Sequence, residues 1–217
     1  MPLWANPTPV PIAGFNLRMM PFWFWRTPAE RFWRVFQKYE ARARAGKNEA
    51  VIKFSNALRR YDRRLAFEWG MNIEGKQELT ITAHGRREAF GSVEALFLVK
   101  PPLPDWRIDA LVRRRGHKIS MDYDDLEIRS DEMWFSCTRG IEGLDFAVYF
   151  SDIGRDSIIY FQDAARGLLI NGLGEYFFGL HVGAIRVAGL PPDPEALGLK
   201  PFIAIGSVLE MFGKGES

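Results

Sequence analysis

Leu65-Ala66-Phe67-Glu68-Trp69-Gly70-Met71 and Glu78-Leu79-Thr80-Ile81-Thr82-Ala83-His84-Gly85 are the stretches on which the fold turns. In the first, Leu65, Phe67, Trp69 and Met71 alternate with Ala66, Glu68 and Gly70. In the second, Leu79, Ile81 and Ala83 alternate with Glu78, Thr80 and Thr82. Successive side chains of a strand point to opposite faces, so a period of two marks a half-buried strand. Two such runs around the glycine-containing turn Asn72–Lys76 predict a β-hairpin. Ala89, Phe90, Val93, Leu96 and Phe97 predict a helix that stops before Pro101-Pro102. Trp106, Ile108, Ala110 and Val112 then alternate in a further strand, so residues 65–113 read β-β-α-β.

The same order returns downstream. Met133, Phe135 and Cys137 mark one strand and Phe146, Val148 and Phe150 the next. A helix is expected from Ser157 to Leu169, with Ile158, Phe161, Ala165 and Leu168 on one side. Leu180, Val182, Ile185 and Val187 belong to a last strand, with an irregularity at Gly183-Ala184. Ile73-Glu74-Gly75 and Ile141-Glu142-Gly143 fall in corresponding turns, and Gly85-Arg86 and Gly154-Arg155 at corresponding helix starts. Upstream, Thr27-Pro28-Ala29-Glu30 has the capping-box pattern of a helix N-terminus, and Phe32, Val35, Phe36 and Tyr39 follow at helical spacing until Gly46. A second helix is expected with Asn48 as its cap and Val51, Phe54, Leu58 and Tyr61 as its stripe. The expected fold is α+β: an N-terminal helical hairpin followed by two β-β-α-β units forming one mixed sheet or two. Its segments are an arm rich in proline and aromatics over 1–26, the hairpin over 27–64, a first unit over 65–118, a second over 126–190 and a C-terminal extension over 191–217.

Composition narrows the function classes. The chain has 217 residues, 47% hydrophobic and 26% charged, which suits a globular chain with a sizeable core. Its single cysteine, Cys137, forms no internal disulfide and no cysteine-based zinc cage, and a reducing cytoplasm suits it. The first positive charge is Arg18 and prolines stand at 2, 7, 9 and 11, so a cleaved signal peptide is not expected, nor is a transmembrane segment. Residues 1–118 hold 22 Lys/Arg against 11 Asp/Glu, a net of +11, while residues 119–217 hold 7 against 16, a net of −9. Such polarity suits a nucleic-acid or membrane surface on one half, or self-complementarity, in which the halves face each other or a dimer pairs opposite ends, and self-complementarity is favoured. The arginines of the hairpin, Arg42, Arg44, Arg59, Arg60, Arg63 and Arg64, would then be held by Asp122, Asp124, Asp125 and Asp131.

The motifs that carry chemistry are few. Gly70 to Lys76 has the G-x-x-x-x-G-K spacing of a phosphate loop, but Gln77 stands where a hydroxyl is required and a strand follows where a helix is required. His84, His117 and His181 lie in no metal-ligand spacing, so no metal and no cofactor are assigned. No G-x-S-x-G elbow occurs. Cys137 reads as a core thiol, and Asp122, Asp124 and Asp125 as a solvated acidic loop facing Arg113–Arg115. A catalytic role would first be sought at His84, Glu68, Glu175 and His181, and for each a structural role ranks ahead. Glu175, after a glycine-rich turn, would anchor a backbone amide or orient a substrate, with the structural role ranked first. The candidate contact residues are Trp23, Trp25, Arg59, Arg60, Arg113, Arg114 and Arg115.

Leu65-Ala66-Phe67-Glu68, Glu78-Leu79-Thr80-Ile81-Thr82-Ala83-His84-Gly85, Phe90 with Val93-Glu94-Ala95-Leu96, Pro102-Leu103-Pro104-Asp105-Trp106 and Leu173-Gly174-Glu175 together resemble the pattern of an uncharacterised bacterial protein family, a domain of unknown function. The resemblance covers about residues 22–188 and implies a bacterial, intracellular setting with no activity attached. The leading functional expectation is a non-enzymatic interaction or regulatory protein, a class that includes immunity proteins, with another protein or a second copy as partner. A hydrolase whose site is assembled from distant residues comes second. A nucleic-acid binder using the basic segment Arg18–Arg64 comes third.

Overall fold

The computed structural model describes residues 27–71, 75–123, 126–151, 153–154 and 157–213. Expectations that concern the arm with Trp23 and Trp25, the turn residues 72–74, the acidic residues Asp124 and Asp125, and Arg155 lie outside them.

Helices α1 (Pro28–Arg44) and α2 (Asn48–Tyr61) form the hairpin. The capping box is present at α1: Glu30 N–H donates to Thr27 Oγ1 at 3.2 Å, and Thr27 N–H donates to Glu30 Oε2 at 2.8 Å. At the other end Gly46 has φ +69°, and the Lys47 N–H donates to the Arg42 carbonyl at 3.0 Å. This left-handed closure satisfies carbonyls that the helix leaves orphaned and turns the chain into α2. Lys47, not Asn48, is the N-cap of α2, and no side chain caps it. The buried stripe of α2 is Ala50, Phe54 and Leu58, while Val51 is 38% exposed.

The first β-β-α-β unit follows. Strand β1 (Ala66–Met71) pairs antiparallel with β2 (Gln77–Thr82). Helix α3 (Phe90–Leu98) leads to β3 (Trp106–Ala110), which runs parallel to β2 and completes a sheet of order β1-β2-β3. The hairpin helices cover this sheet through aromatic contacts. Phe36 stacks on Phe54 at 4.7 Å, and Phe54 lies 6.3 Å from Phe67 and 6.1 Å from Trp69. Two indoles lock the layers, with Trp33 Nε1 donating to the Leu96 carbonyl at 2.7 Å and Trp106 Nε1 to Glu40 Oε2 at 2.6 Å.

Between the units, β4 (Ser120–Tyr123) and β5 (Leu126–Arg129) form a hairpin where an acidic loop was expected. Met121 and Tyr123 give it an anchored face, and the Tyr123 hydroxyl donates to Asp163 at 2.8 Å. The second unit repeats the first. Strand β6 (Trp134–Arg139) is antiparallel to β7 (Leu144–Phe150), helix α4 (Ile158–Leu173) follows, and β8 (Val182–Gly189) runs parallel to β7. A short ninth strand, β9 (Lys200–Pro201), pairs antiparallel with the outer edge of β6, giving the order β8-β7-β6-β9. Helix α6 (Gly206–Gly213) closes the described chain. The expected irregularity at Gly183-Ala184 is a register shift, bridged by the Ala184 N–H donating to Asp145 at 2.9 Å.

Three expected boundaries move, and the first is the end of α4, which runs four residues past Leu169 to Leu173. Strand β3 ends at Ala110, because Leu111 adopts φ 62°, and Val112 is buried in the core of the second unit. Leu180 lies in a separate helix α5 (Glu175–His181), so β8 starts two residues after it. Among the described residues no helix is long and apolar enough to cross a membrane.

Phe36 is fully buried and touches both the helical layer and Trp106 of the sheet. Phe36→Ala is expected to lower unfolding free energy by about 3–5 kcal/mol through lost burial and the cavity left behind. Ile52→Ala, at a site 58% exposed, should stay within about 0.5 kcal/mol. Urea denaturation of the two variants checks both.

Candidate functional site

The residues that end β2 are held from the opposite unit. Glu175, the first residue of α5, is fully buried, and its carboxylate accepts three backbone N–H groups. Oε1 takes Ala83 at 2.7 Å and Gly85 at 2.9 Å, and Oε2 takes Val112 at 2.8 Å. The Glu175 N–H returns a bond to the Val112 carbonyl at 2.8 Å. Burying a carboxylate is costly unless its oxygens are satisfied, and here both are. The carboxylate is thus a structural tie, in line with the amide-anchoring role read from the sequence.

His84 sits between those two anchored amides in a left-handed conformation, φ 53°, with its N–H on Thr82 Oγ1 at 2.9 Å. Its carbonyl accepts both Nε and Nη2 of Arg166, at 3.1 and 2.7 Å. Burial, and after it the like charge of Arg86, pushes the Arg166 guanidinium below its usual range. Gly85 follows at φ +70°, and a Cβ there would run into the Phe178 ring. The corner therefore needs glycine for both its backbone and its clearance from α5.

From this corner a groove of about 480 Å³ runs along α2. One wall is Val51, Ser55 and Arg59 of α2, and the other is Leu65, Ala66 and Phe67 leading into β1. Arg63 and Arg64 lie where the walls meet, and His84 and Arg86 close one end. Among the described residues no carboxylate lines it. Arg64 is engaged by Asp62, Nη2 to Oδ2 at 2.6 Å, and Ser92 Oγ donates to the same carboxylate at 2.7 Å. The hydrogen bond from Arg64, with help from Ser92 and against a cost of burial, holds the Asp62 carboxyl well below the usual aspartate range. Arg86 Nη1 donates to the Arg64 carbonyl at 3.2 Å. Among the described residues Arg59, Arg60 and Arg63 make no ion pair, and a second shallow recess is lined by these three and Asn56.

The other residues singled out from the sequence are dispersed. Glu68 pairs with Arg115 at 2.7 Å and Arg113 with Asp109 at 2.7 Å, while the Arg114 guanidinium packs on Gly206. Among the described residues the 113–115 run therefore meets neighbours of its own unit and α6, and not Asp122. Nor are the hairpin arginines held by Asp122 or Asp131: Arg42 pairs with Glu49, Arg44 with Asp105, and Asp131 with Arg129. Among the described residues, ion pairs therefore do not join the hairpin arginines to the acidic half.

His181 ends α5 with its ring 4.7 Å from Phe177. Ser55 and His84 both line the groove, and no hydrogen bond joins them. The half-buried Cys137 thiol is pushed up by burial, which disfavours a thiolate. Among the described residues no group of three His, Cys, Asp or Glu could hold a metal. A further cavity of about 560 Å³, beside His117, Lys118 and Phe202, has mixed charge, since its Arg129 is tied to its Asp131.

The sequence shows the groove's arginines but not its wall, because Val51 reads as part of the buried stripe of α2, Ser55 carries no signal, and Ala66 and Phe67 read only as strand. No protein-family model, curated protein or solved structure matches the chain.

Glu175→Gln places an amide N–H against a backbone N–H in a buried site and should destabilise the fold by about 3 kcal/mol, read by urea denaturation. The Asp62 carboxyl is depressed when folded, so its contribution to stability is complete above the ordinary aspartate range near pH 4 and is lost as pH falls below it. The stability gap between the wild type and Asp62→Asn should therefore shrink on going from about pH 6 to about pH 2, measured by thermal unfolding across that series.

Proposed function

We propose that this chain is a non-enzymatic interaction protein that docks an acidic partner protein in the groove between α2 and β1. The observation that carries the proposal is the set of arginines Arg59, Arg60 and Arg63 beside a groove where, among the described residues, these three have no ion-pair partner and no carboxylate lines the walls. Like charges held close together repel, and an acidic partner relieves that cost. Arginine is also a residue type over-represented among those that dominate binding energy. Buried Leu58 and Leu65 and half-buried Phe67 supply an apolar floor on which an arginine-anchored contact gains strength. A regulatory protein, or an immunity protein that neutralises a toxin, belongs to this class.

The hydrolase reading lacks support at the groove, where the serine and the histidine are not joined and both oxygens of Glu175 are committed to backbone amides. Nucleic acid is the second reading. The same arginines suit phosphates, but the side chains of this groove include one aromatic ring, Phe67, for bases to stack on.

Fluorescence anisotropy with a short labelled glutamate-rich peptide, its lysine counterpart and single- and double-stranded oligonucleotides, across a salt series, separates the readings. The acidic peptide is expected to bind and the lysine peptide not. The double variant Arg59→Glu/Arg63→Glu should weaken binding at least about tenfold. Submicromolar oligonucleotide binding with a steep salt slope, lost in the same variant, would replace this reading with the nucleic-acid one.

A further inference from the structure

We infer that the acidic partner enters as an extended segment that adds a strand to the free edge of β1, antiparallel to it, at Ala66 and Phe67. The inference rests on the docking role proposed for the groove and concerns how that groove is filled. Strand β1 is an edge of its sheet, bonded to β2 on one side. Among the described residues its other side makes no backbone hydrogen bond. Such an edge is a template for another chain, and strand addition at an edge is a recurrent mode of peptide recognition.

The second unit holds an internal precedent. Both β1 and β6 are six-residue first strands of β-β-α-β units, and their hairpin registers place Ala66 with Trp134 and Phe67 with Phe135. In the second unit that outer edge is covered by the chain itself, since β9 pairs antiparallel there, Trp134 opposite Pro201 and Phe135 opposite Lys200. The equivalent residues of the first unit are Ala66 and Phe67, the two β1 residues that line the basic groove. The position filled by β9 in one unit is the groove in the other.

Charge and spacing select the guest. Val51, Ser55 and Arg59 are spaced four apart on α2, one ridge facing β1 across the groove, with Arg63 beyond it. Four helical residues advance about 6 Å, and two strand residues advance about 6.6–6.8 Å. Alternate side chains of a guest strand therefore keep pace with the ridge. They meet Val51 with an apolar group, Ser55 with a polar one, and Arg59 and Arg63 with carboxylates. The same arginines, two copies face to face, oppose pairing of β1 with its own copy.

The test uses a labelled peptide with valine, serine, glutamate and glutamate at successive alternate positions and threonine between them, together with two versions N-methylated on one or the other alternate set of backbone amides. Methylation leaves the charge intact and removes donors from one edge only. Strand addition predicts that one set weakens binding at least about tenfold while the other leaves it unchanged, and that amide exchange slows in residues 66–71 on binding of the parent peptide. Equal binding of all three peptides with unchanged exchange would overturn strand addition and leave the acidic-partner role standing. Absence of binding by the parent peptide would overturn both. Protection of residues 66–71 without peptide, in a species that sediments as a dimer, would show that a second copy fills the edge, and would overturn the proposed occupant.

Discussion

The carboxylate of Glu175 is the contact on which the two units depend. Its oxygens collect N–H groups from Ala83 and Gly85, where β2 ends, and from Val112, where the chain has just left β3. All three donors come from the first unit or its exit, and the acceptor opens a helix of the second. A bond of this kind resists loss because the alternative is an unsatisfied charge in a dry interior. It also fixes the backbone on either side of His84. With Arg166 capping the His84 carbonyl, the corner that closes the groove is held at its tip as well as on both flanks.

Ion pairs in this chain are of two kinds: some, such as Arg44 with Asp105 and Arg115 with Glu68, join distant segments, and others are short-range. Arg64 with Asp62, Arg129 with Asp131, Arg107 with Asp109 and Arg42 with Glu49 are pairs close in sequence. The exposed pairs, Arg129 with Asp131 and Arg42 with Glu49, contribute little stability each, but they remove charge from the surface selectively. Among the described residues Arg59, Arg60 and Arg63 remain without an ion pair near the groove. Arg59 and Arg60 lie in the last turn of α2, where positive charge complements the helix dipole, so they aid the helix while remaining available to a partner. Arg63 lies beyond the helix and has no such use.

The two β-β-α-β units share strand order and direction but differ at one edge. In the second, β9 and the 3-10 turn after it run across β6, and the Phe202 N–H donates to the Met133 carbonyl at 2.9 Å. In the first, α2 instead packs over the face of the sheet through Phe54 and leaves the edge of β1 beside it open among the described residues. The repeat thus provides one completed edge and one accessible edge on the same scaffold.

The sequence by itself determined the elements whose signals are contained within a few residues. The capping box at Thr27, the alternation of Leu65–Met71 and of Leu79–Ala83, and the stop before Pro101 are local preferences, and the structure follows each of them. So was the order of both units, because two strands, a helix and a strand each announce themselves by period. Tertiary structure alone decided the rest. The end of β3 was read two residues late because alternation continues through Val112, while the left-handed turn at Leu111 is set by the second core and by Glu175. Helix α5 escaped notice because seven residues are too few to display a helical period. The hairpin β4–β5 was hidden by its acidic outer face. The groove is the clearest case: Arg59 and Arg63 announce exposure, and Ala66 and Phe67 announce a strand, but their meeting depends on Phe54 packing against Phe67 and Trp69. Local patterns record which side of an element is buried; they do not record what buries it, since that contact forms only after the chain has folded back on itself.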